Sequence, residues 1–169
     1  MKTERSFSVT WDDPLAAFEA AKALPVLEWM RAIIEERLPS PPIARLLGFR
    51  LVEAGPGLAV FEITPGEQHY NPIGVVHGGL AMTLLDSAMG LCVHTMLPAG
   101  TGYTTLETKV NMVRPITIET GTLRAIGKLV HMGGRVATAE GRFEDAAGKL
   151  YAHGTSTCMV LPASTNRLH

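Results

Sequence analysis

Asn71-Pro72-Ile73-Gly74-Val75-Val76-His77-Gly78-Gly79, continued by Leu80-Ala81-Met82-Thr83-Leu84-Leu85-Asp86, decides how this 169-residue chain folds. The glycine pair opens a segment that stays apolar from Leu80 to Leu97. The pattern predicts one long helix from about Gly78 to Leu97, stopped by Pro98-Ala99-Gly100. The first N–H groups of such a helix lack intrahelical partners and sit at its positive end, which suits an anion or a developing oxyanion. Asp86 stands in the middle of the apolar segment, where an unpaired carboxylate is costly. Its neighbours Leu84, Leu85, Ala88 and Met89 are expected to raise its pKa and make it a stronger base. A caged acid close to a glycine-rich anion site points to acyl-transfer chemistry.

Outward from this helix the chain splits into two kinds of segment. Upstream, Asp12-Asp13-Pro14 starts a short helix that runs to Lys22, and Pro25 opens a second. Val26, Met30, Ile33, Ile34 and Leu38 recur at helical spacing until Ser40-Pro41-Pro42. Residues 1–42 therefore read as a helical extension laid on the main body, which spans 43–162, with 163–169 as a tail. Phe49 to Glu53 and Leu58 to Ile63 read as strands about the turn Gly55-Pro56-Gly57. Four more strands follow the long helix: one through Leu106, Thr108, Val110 and Met112, then Thr122 to His131, Arg135 to Glu144 and Leu150 to Leu161. A helix apolar nearly all round must be covered on most sides. A curved antiparallel sheet of about six strands can do so, which is the α+β arrangement called the hotdog fold.

Bulk composition narrows the function. A formal net charge of −1, with no long basic run, gives a nucleic-acid role little electrostatic support. The chain is 46% hydrophobic and only 18% charged, rich enough in apolar residues to suggest burial in an oligomer. Cys92 and Cys158 belong to no Cys-x-x-Cys pair and read as buried free thiols of a reducing compartment. Met1 to Trp11 lacks an apolar signal core, so a cytoplasmic location is expected. Thr83, Asp86, Ser87, Gly90, His94 and Thr95 interrupt the apolar run, which argues against a membrane span.

The candidate chemistry follows from these residues. Asp86 either activates a water or attacks an acyl carbon itself; the plain alternative is a carboxylate that caps a neighbouring chain or bonds to a Ser or Thr of the same helix. The N–H of Gly78 or Gly79 is placed to hold a polarised carbonyl oxygen, and glycine lets substrate approach without a Cβ; tight packing of a helix entrance is the other reading. Asn71 supplies a second donor, steers water, or simply shapes a turn. His77 has no Ser or Cys nucleophile nearby at a known spacing and is expected to shape the loop or touch the leaving group. His94 reads as core or interface. His69 and His77 do not match a metal-ligand spacing, so no metal is assigned. Gly78 and Asp86 lie eight residues apart, about 12 Å along a helix. A reacting carbonyl must be within about 3–3.5 Å of the attacking atom. One chain cannot bring both groups to it, whereas two chains with antiparallel helices can; a dimer with two shared sites is expected.

With Asn-Pro-x-Gly-x-Val-His-Gly-Gly-x-x-x-Thr-Leu-Leu-Asp in place over Asn71 to Asp86, the chain resembles the acyl-CoA thioesterases grouped with the phenylacetate-pathway enzyme PaaI. The likeness covers about Pro41 to Leu161. It is supported by Tyr103-Thr104-Thr105-Leu106-Glu107, Val110-Asn111-Met112-Val113-Arg114-Pro115 and Ala152-His153-Gly154-Thr155-Ser156-Thr157-Cys158. The resemblance implies hydrolysis of acyl-CoA, with an aryl-acyl or medium-chain group, and needs no cofactor beyond the CoA of the substrate. Asp86 becomes nucleophile or general base, Gly78 the oxyanion donor, and Asn71 a contact to thioester or water. A hydroxyl on the next strand orients water: family pattern favours Thr105, whereas strict strand alternation puts Thr104 on the helix-facing side with Leu106 and Thr108. Gly79, Arg114, Gly133, Gly134 and Arg135 become contacts to CoA, and the assembly a dimer or dimer of dimers. A hydratase or dehydratase of acyl thioesters and a non-catalytic acyl-CoA sensor are the alternatives. Met82, Met89 and Met96 either line an adaptable acyl pocket or belong to the core.

Overall fold

The structure, a computed structural model, describes residues 4–162. The expected tail, 163–169, lies outside the described residues. Helix α1 (Pro14–Ala21) begins as its sequence dictates: the Asp13 carboxylate accepts the Leu15 N–H at 2.9 Å, and Pro14 occupies the first turn. Helix α2 (Val26–Ile34) buries Val26, Met30 and Ala32. It ends before Leu38, earlier than its apolar spacing predicts. Glu36 adopts a left-handed φ of 58°, and the N–H groups of Arg37 and Leu38 turn back onto Ala32 O. The polar run Glu35-Glu36-Arg37 has no apolar side to bury, so nothing holds a further turn. A third helix, α3 (Pro42–Leu47), was not legible in the sequence. Pro42 sits in its first turn and Gly48 closes it at φ 70°, so the prolines that end one helix also start another.

Six strands form one antiparallel sheet in the order β1-β2-β4-β5-β6-β3. They are β1 (Phe49–Gly55), β2 (Leu58–Ile63), β3 (Gly102–Met112), β4 (Leu123–Met132), β5 (Val136–Asp145) and β6 (Leu150–Leu161). Helix α4 (Gly78–His94) lies across the concave face and buries Leu80, Leu84, Leu85, Met89 and Val93 there. At about 1.5–3 kcal/mol for each fully buried large aliphatic side chain, this helix supplies much of the core. The sheet is hollowed to receive it. Gly127, Gly141 and Gly154 are register partners on three adjacent strands. A Cβ on Gly127 would stand 2.2 Å from Ala88 O, and one on Gly141 2.9 Å from Leu85 Cδ2. Backbone, not side chain, forms the floor at those two glycines.

The two sheet edges differ. Strand β1 is flanked by α2 and α3, which send Val26, Met30 and Ala44 into the same core as Phe49 and Leu51. Strand β3 pairs with β6 alone, and its other edge carries no described element. Its register slips between Thr105 and Glu107, which makes Leu106 a bulge residue, 56% exposed.

Candidate active site

The loop before α4 is built by its own side chains. Asn71 Oδ1 accepts the N–H groups of Ile73 (3.0 Å) and Val75 (3.3 Å), and Gly74 completes the turn at φ 81°. The oxygen of Asn71 therefore organises the loop, leaving the carboxamide nitrogen as its available donor. His77 caps the helix: Nδ1 accepts the Gly79 N–H at 2.9 Å, so in this arrangement the proton of a neutral ring is on Nε2. A Cβ on Gly79 would lie 2.9 Å from that Nδ1, which is why the second glycine is needed. The cap also settles which amide is open. Gly79 N–H is occupied by His77, whereas Gly78 N–H has no acceptor recorded among the described residues. Gly78 sits at the mouth of a cavity of about 380 Å³ that Val75, His77, Met112, Arg114 and Ile116 also line.

Asp86 is placed differently from the expected apolar cage. Leu84, Leu85, Ala88 and Met89 are wholly buried, but Asp86 itself is half-buried. At spacings of three, four and seven it shares its side of the helix with Gly79, Met82, Thr83 and Gly90. Its Oδ1 accepts a 2.8 Å hydrogen bond from Thr108 Oγ1 on β3. Thr108 in turn lies 3.4 Å from Ser156 Oγ, which donates to Glu107 O and is 2% exposed. The single proton of each hydroxyl is thereby used, that of Thr108 on Asp86 and that of Ser156 on Glu107 O, so the carboxylate is tied to the sheet through Thr108, and Oδ2 accepts no bond among the described residues.

The bulge at Leu106 overturns strict alternation along β3. Tyr103 and Thr105 face inward before it, and Thr108 and Val110 face inward after it, while Thr104 is exposed on the outer side. Thr104 is therefore removed from the helix-facing set. Thr105 shares that set with Thr108, where its hydroxyl engages Cys158. Thr108 is the site residue that sequence reasoning missed; its inward parity was visible, but its register with Asp86 depends on the bulge.

The expected CoA contacts separate into two groups. Arg114 stands beside Gly78 in the same cavity, and its guanidinium donates to Leu150 O. Gly133, Gly134 and Arg135 form the β4–β5 turn, beside Val136 and the Met159 end of β6, which is register-paired with Thr104. Gly78 instead contacts Met112, at the far end of β3. In one chain the two groups lie at opposite ends of the sheet.

The remaining polar groups are structural. His69 accepts the Gly66 N–H and bonds Leu47 O, tying the loop to α3; burial holds its pKa below the usual histidine value. His94 packs edge-on to Trp29 at 5.8 Å and against Tyr103 at 5.3 Å. Burial depresses its pKa too, opposed by a bond to the Thr101 backbone. Cys92 and Cys158 are free and fully buried, and burial pushes the Cys92 thiol up to about 12. Among the described residues no cluster of His, Cys, Asp or Glu is arranged to hold a metal ion. No helix among them is long and apolar enough to cross a membrane.

Comparison with known proteins meets this geometry at its centre. The family model of the thioesterase superfamily matches residues 73–152, which include His77, Gly78, Asp86, Thr108 and Arg114. A Saccharolobus solfataricus protein that carries an esterase name is 31% identical over 132 residues, covering 78% of this chain and 92% of the relative. Human acyl-coenzyme A thioesterase 13 is 39% identical over a shorter stretch, 34% of this chain and 42% of that protein. In structure, the Escherichia coli PaaI protein of the phenylacetic acid degradation operon superposes with a TM-score of 0.70 over 84% of this chain and 97% of its own, at 20% identity, and so supports the fold. An open helix-tip amide, an anchored carboxylate on the same helix and these relatives together place the chain in the thioesterase superfamily, as a hydrolase with the hotdog fold.

Proposed function

We propose that the chain hydrolyses acyl-CoA to a free carboxylate and CoA, in sites shared between two antiparallel copies. The observation that carries this reading is the pair of groups left available on α4. Gly78 N–H has no recorded acceptor at the helix tip, and Asp86 is fixed by Thr108 eight residues on, about 12 Å away along the axis. The uncovered edge of β3, with Leu106 56% and Met112 45% exposed, gives a second copy a surface beside Asp86.

In this mechanism Asp86, through its open oxygen, takes a proton from water as the water oxygen attacks the thioester carbon; direct attack by the carboxylate is the other form of the same step. The carbonyl oxygen becomes an oxyanion held by Gly78 N–H of the partner copy, aided by the positive end of its helix. The carbon–sulfur bond then breaks, and the CoA thiolate leaves and is protonated. Thr108 holds the carboxylate in place, Thr105 lies on the same inward face for water, and the Asn71 amide and His77 Nε2–H offer donors at the mouth. Arg114 stands where an anionic part of CoA enters. Antiparallel pairing brings the Gly133-Gly134-Arg135 end of one copy to the side on which its partner carries Gly78. Release of free thiol from an acyl-CoA panel tests the reading. Asp86→Asn is expected to lower turnover by a factor on the order of 10³ while leaving the oligomer intact. Near-wild-type release by this variant would remove Asp86 from the chemistry.

A further inference from the structure

A second cavity lies between α4, the extension and the sheet, where Phe49, Leu51 and Phe61 of β1 and β2 close it, and the extension builds much of it. Trp29, Met30 and Ile33 of α2 and Ala44 of α3 form one wall; Ser87, Leu91 and His94 of α4, with Tyr103, form another. Its volume is about 240 Å³, and Lys, Arg, Asp and Glu are absent from its lining. Ser87 is the residue after Asp86. Gly90, one turn beyond Asp86, is bare so that Tyr103 can lie on the helix backbone: a Cβ there would stand 2.7 Å from Tyr103 Oη. Burial first, then Cys158 and Asp86, hold the Tyr103 phenol above the ordinary range, so the Asp86 charge reaches that ring. Two residues of the lining thus neighbour Asp86: Ser87 follows it in the chain, and Tyr103 lies within reach of its charge.

We infer that this cavity receives the acyl group of the substrate and that Trp29, supplied by the extension outside the matched family region, sets which acyl groups fit. The inference rests on the thioesterase reading above. A cavity of about 150 Å³ accommodates benzene. The 240 Å³ found here therefore has room for an aromatic ring with a short linker or a medium chain and is too small to enclose a long one. A lining of aromatic and aliphatic side chains, with Ser40, Ser87 and His94 as its polar members and no Lys or Arg, selects an uncharged acyl group and disfavours one that ends in a carboxylate. Ring-on-ring packing of Phe18, Trp29, His94 and Tyr103 makes that wall stiff, so it discriminates by shape.

Thiol release is measured for acetyl-, phenylacetyl-, succinyl- and palmitoyl-CoA. Wild type is expected to prefer phenylacetyl-CoA over both succinyl- and palmitoyl-CoA in kcat/KM. Trp29→Ala is expected to lower the phenylacetyl-to-palmitoyl ratio by about tenfold or more, and Ala44→Phe, which fills the cavity, the phenylacetyl-to-acetyl ratio by a similar factor. Binding is read separately in Asp86→Asn carrying Trp11→Phe, so that Trp29 is the only tryptophan reporter. Phenylacetyl-CoA should change its fluorescence where CoA alone does not. If no acyl-CoA is hydrolysed yet this signal appears, the thioesterase chemistry fails and the pocket stands. If hydrolysis proceeds while both variants, folded by circular dichroism, keep wild-type ratios and Trp29 stays silent, the pocket assignment is overturned.

Discussion

The two working stretches of α4 are made by different devices. At the tip, residues 77–79 offer backbone: a histidine caps the second glycine, and the first amide is left open. At mid-helix, Asp86 offers a side chain, and its support comes from outside the helix, through Thr108 on β3. The tip is local and survives wherever its few residues are kept. The carboxylate depends on the register of a strand 22 residues away, and so on a single bulge. In the proposed mechanism, their separation along one helix makes each chain half of two sites rather than the whole of one.

Substitutions can break this contrast at either stretch. Gly78→Pro removes the open N–H while keeping the helix: proline is favoured at a first helical position, and His77 already has the extended backbone, φ −62° and ψ 132°, that a following proline requires. Turnover should fall by about 10²–10³ with little change in melting temperature. Thr108→Val should cost less, about tenfold in kcat, because it frees the carboxylate without removing it. A change confined to thermal stability would make Thr108 a packing residue only.

The smallest expected effect concerns pH and His94, on the wall of the second cavity. Because burial holds the folded-state pKa of His94 below the unfolded value, its neutral form contributes stability that is complete above about pH 6.5. That contribution is lost as pH falls from there toward the depressed folded value, since the unfolded chain takes up the proton first. Melting curves between pH 5 and 8 should show a shallower acid-side fall for His94→Phe than for wild type. An unchanged fall would assign it to other groups, the similarly depressed His69 first.

What could be read from residues alone followed how local its causes were. The long helix, the succession of strands along the chain and the Asn71–Asp86 motif are written in periodicity, glycine and proline. Helix α3 escaped because six residues, Pro42 to Leu47, span under two turns and show no full apolar period. Thr104 was placed on the wrong face because one extra residue at Leu106 reverses parity without disturbing the apparent alternation. The distance between Arg114 and the turn at Gly133 is a property of sheet order, which composition does not encode. The aromatic wall on Trp29 likewise joins residues 65 positions apart, from Trp29 to His94.

Complementation between two inactive chains tests the shared site most directly. Asp86→Asn and Gly78→Pro are mixed under conditions where subunits exchange, and thiol release is followed. A heterodimer then holds one site with both groups intact and one with neither. With random pairing, half the dimers are mixed and each regains one of two sites, so about a quarter of the wild-type rate should return. Activity that stays at the sum of the two parents, with exchange confirmed by mass, would show that the amide and the carboxylate never meet across subunits.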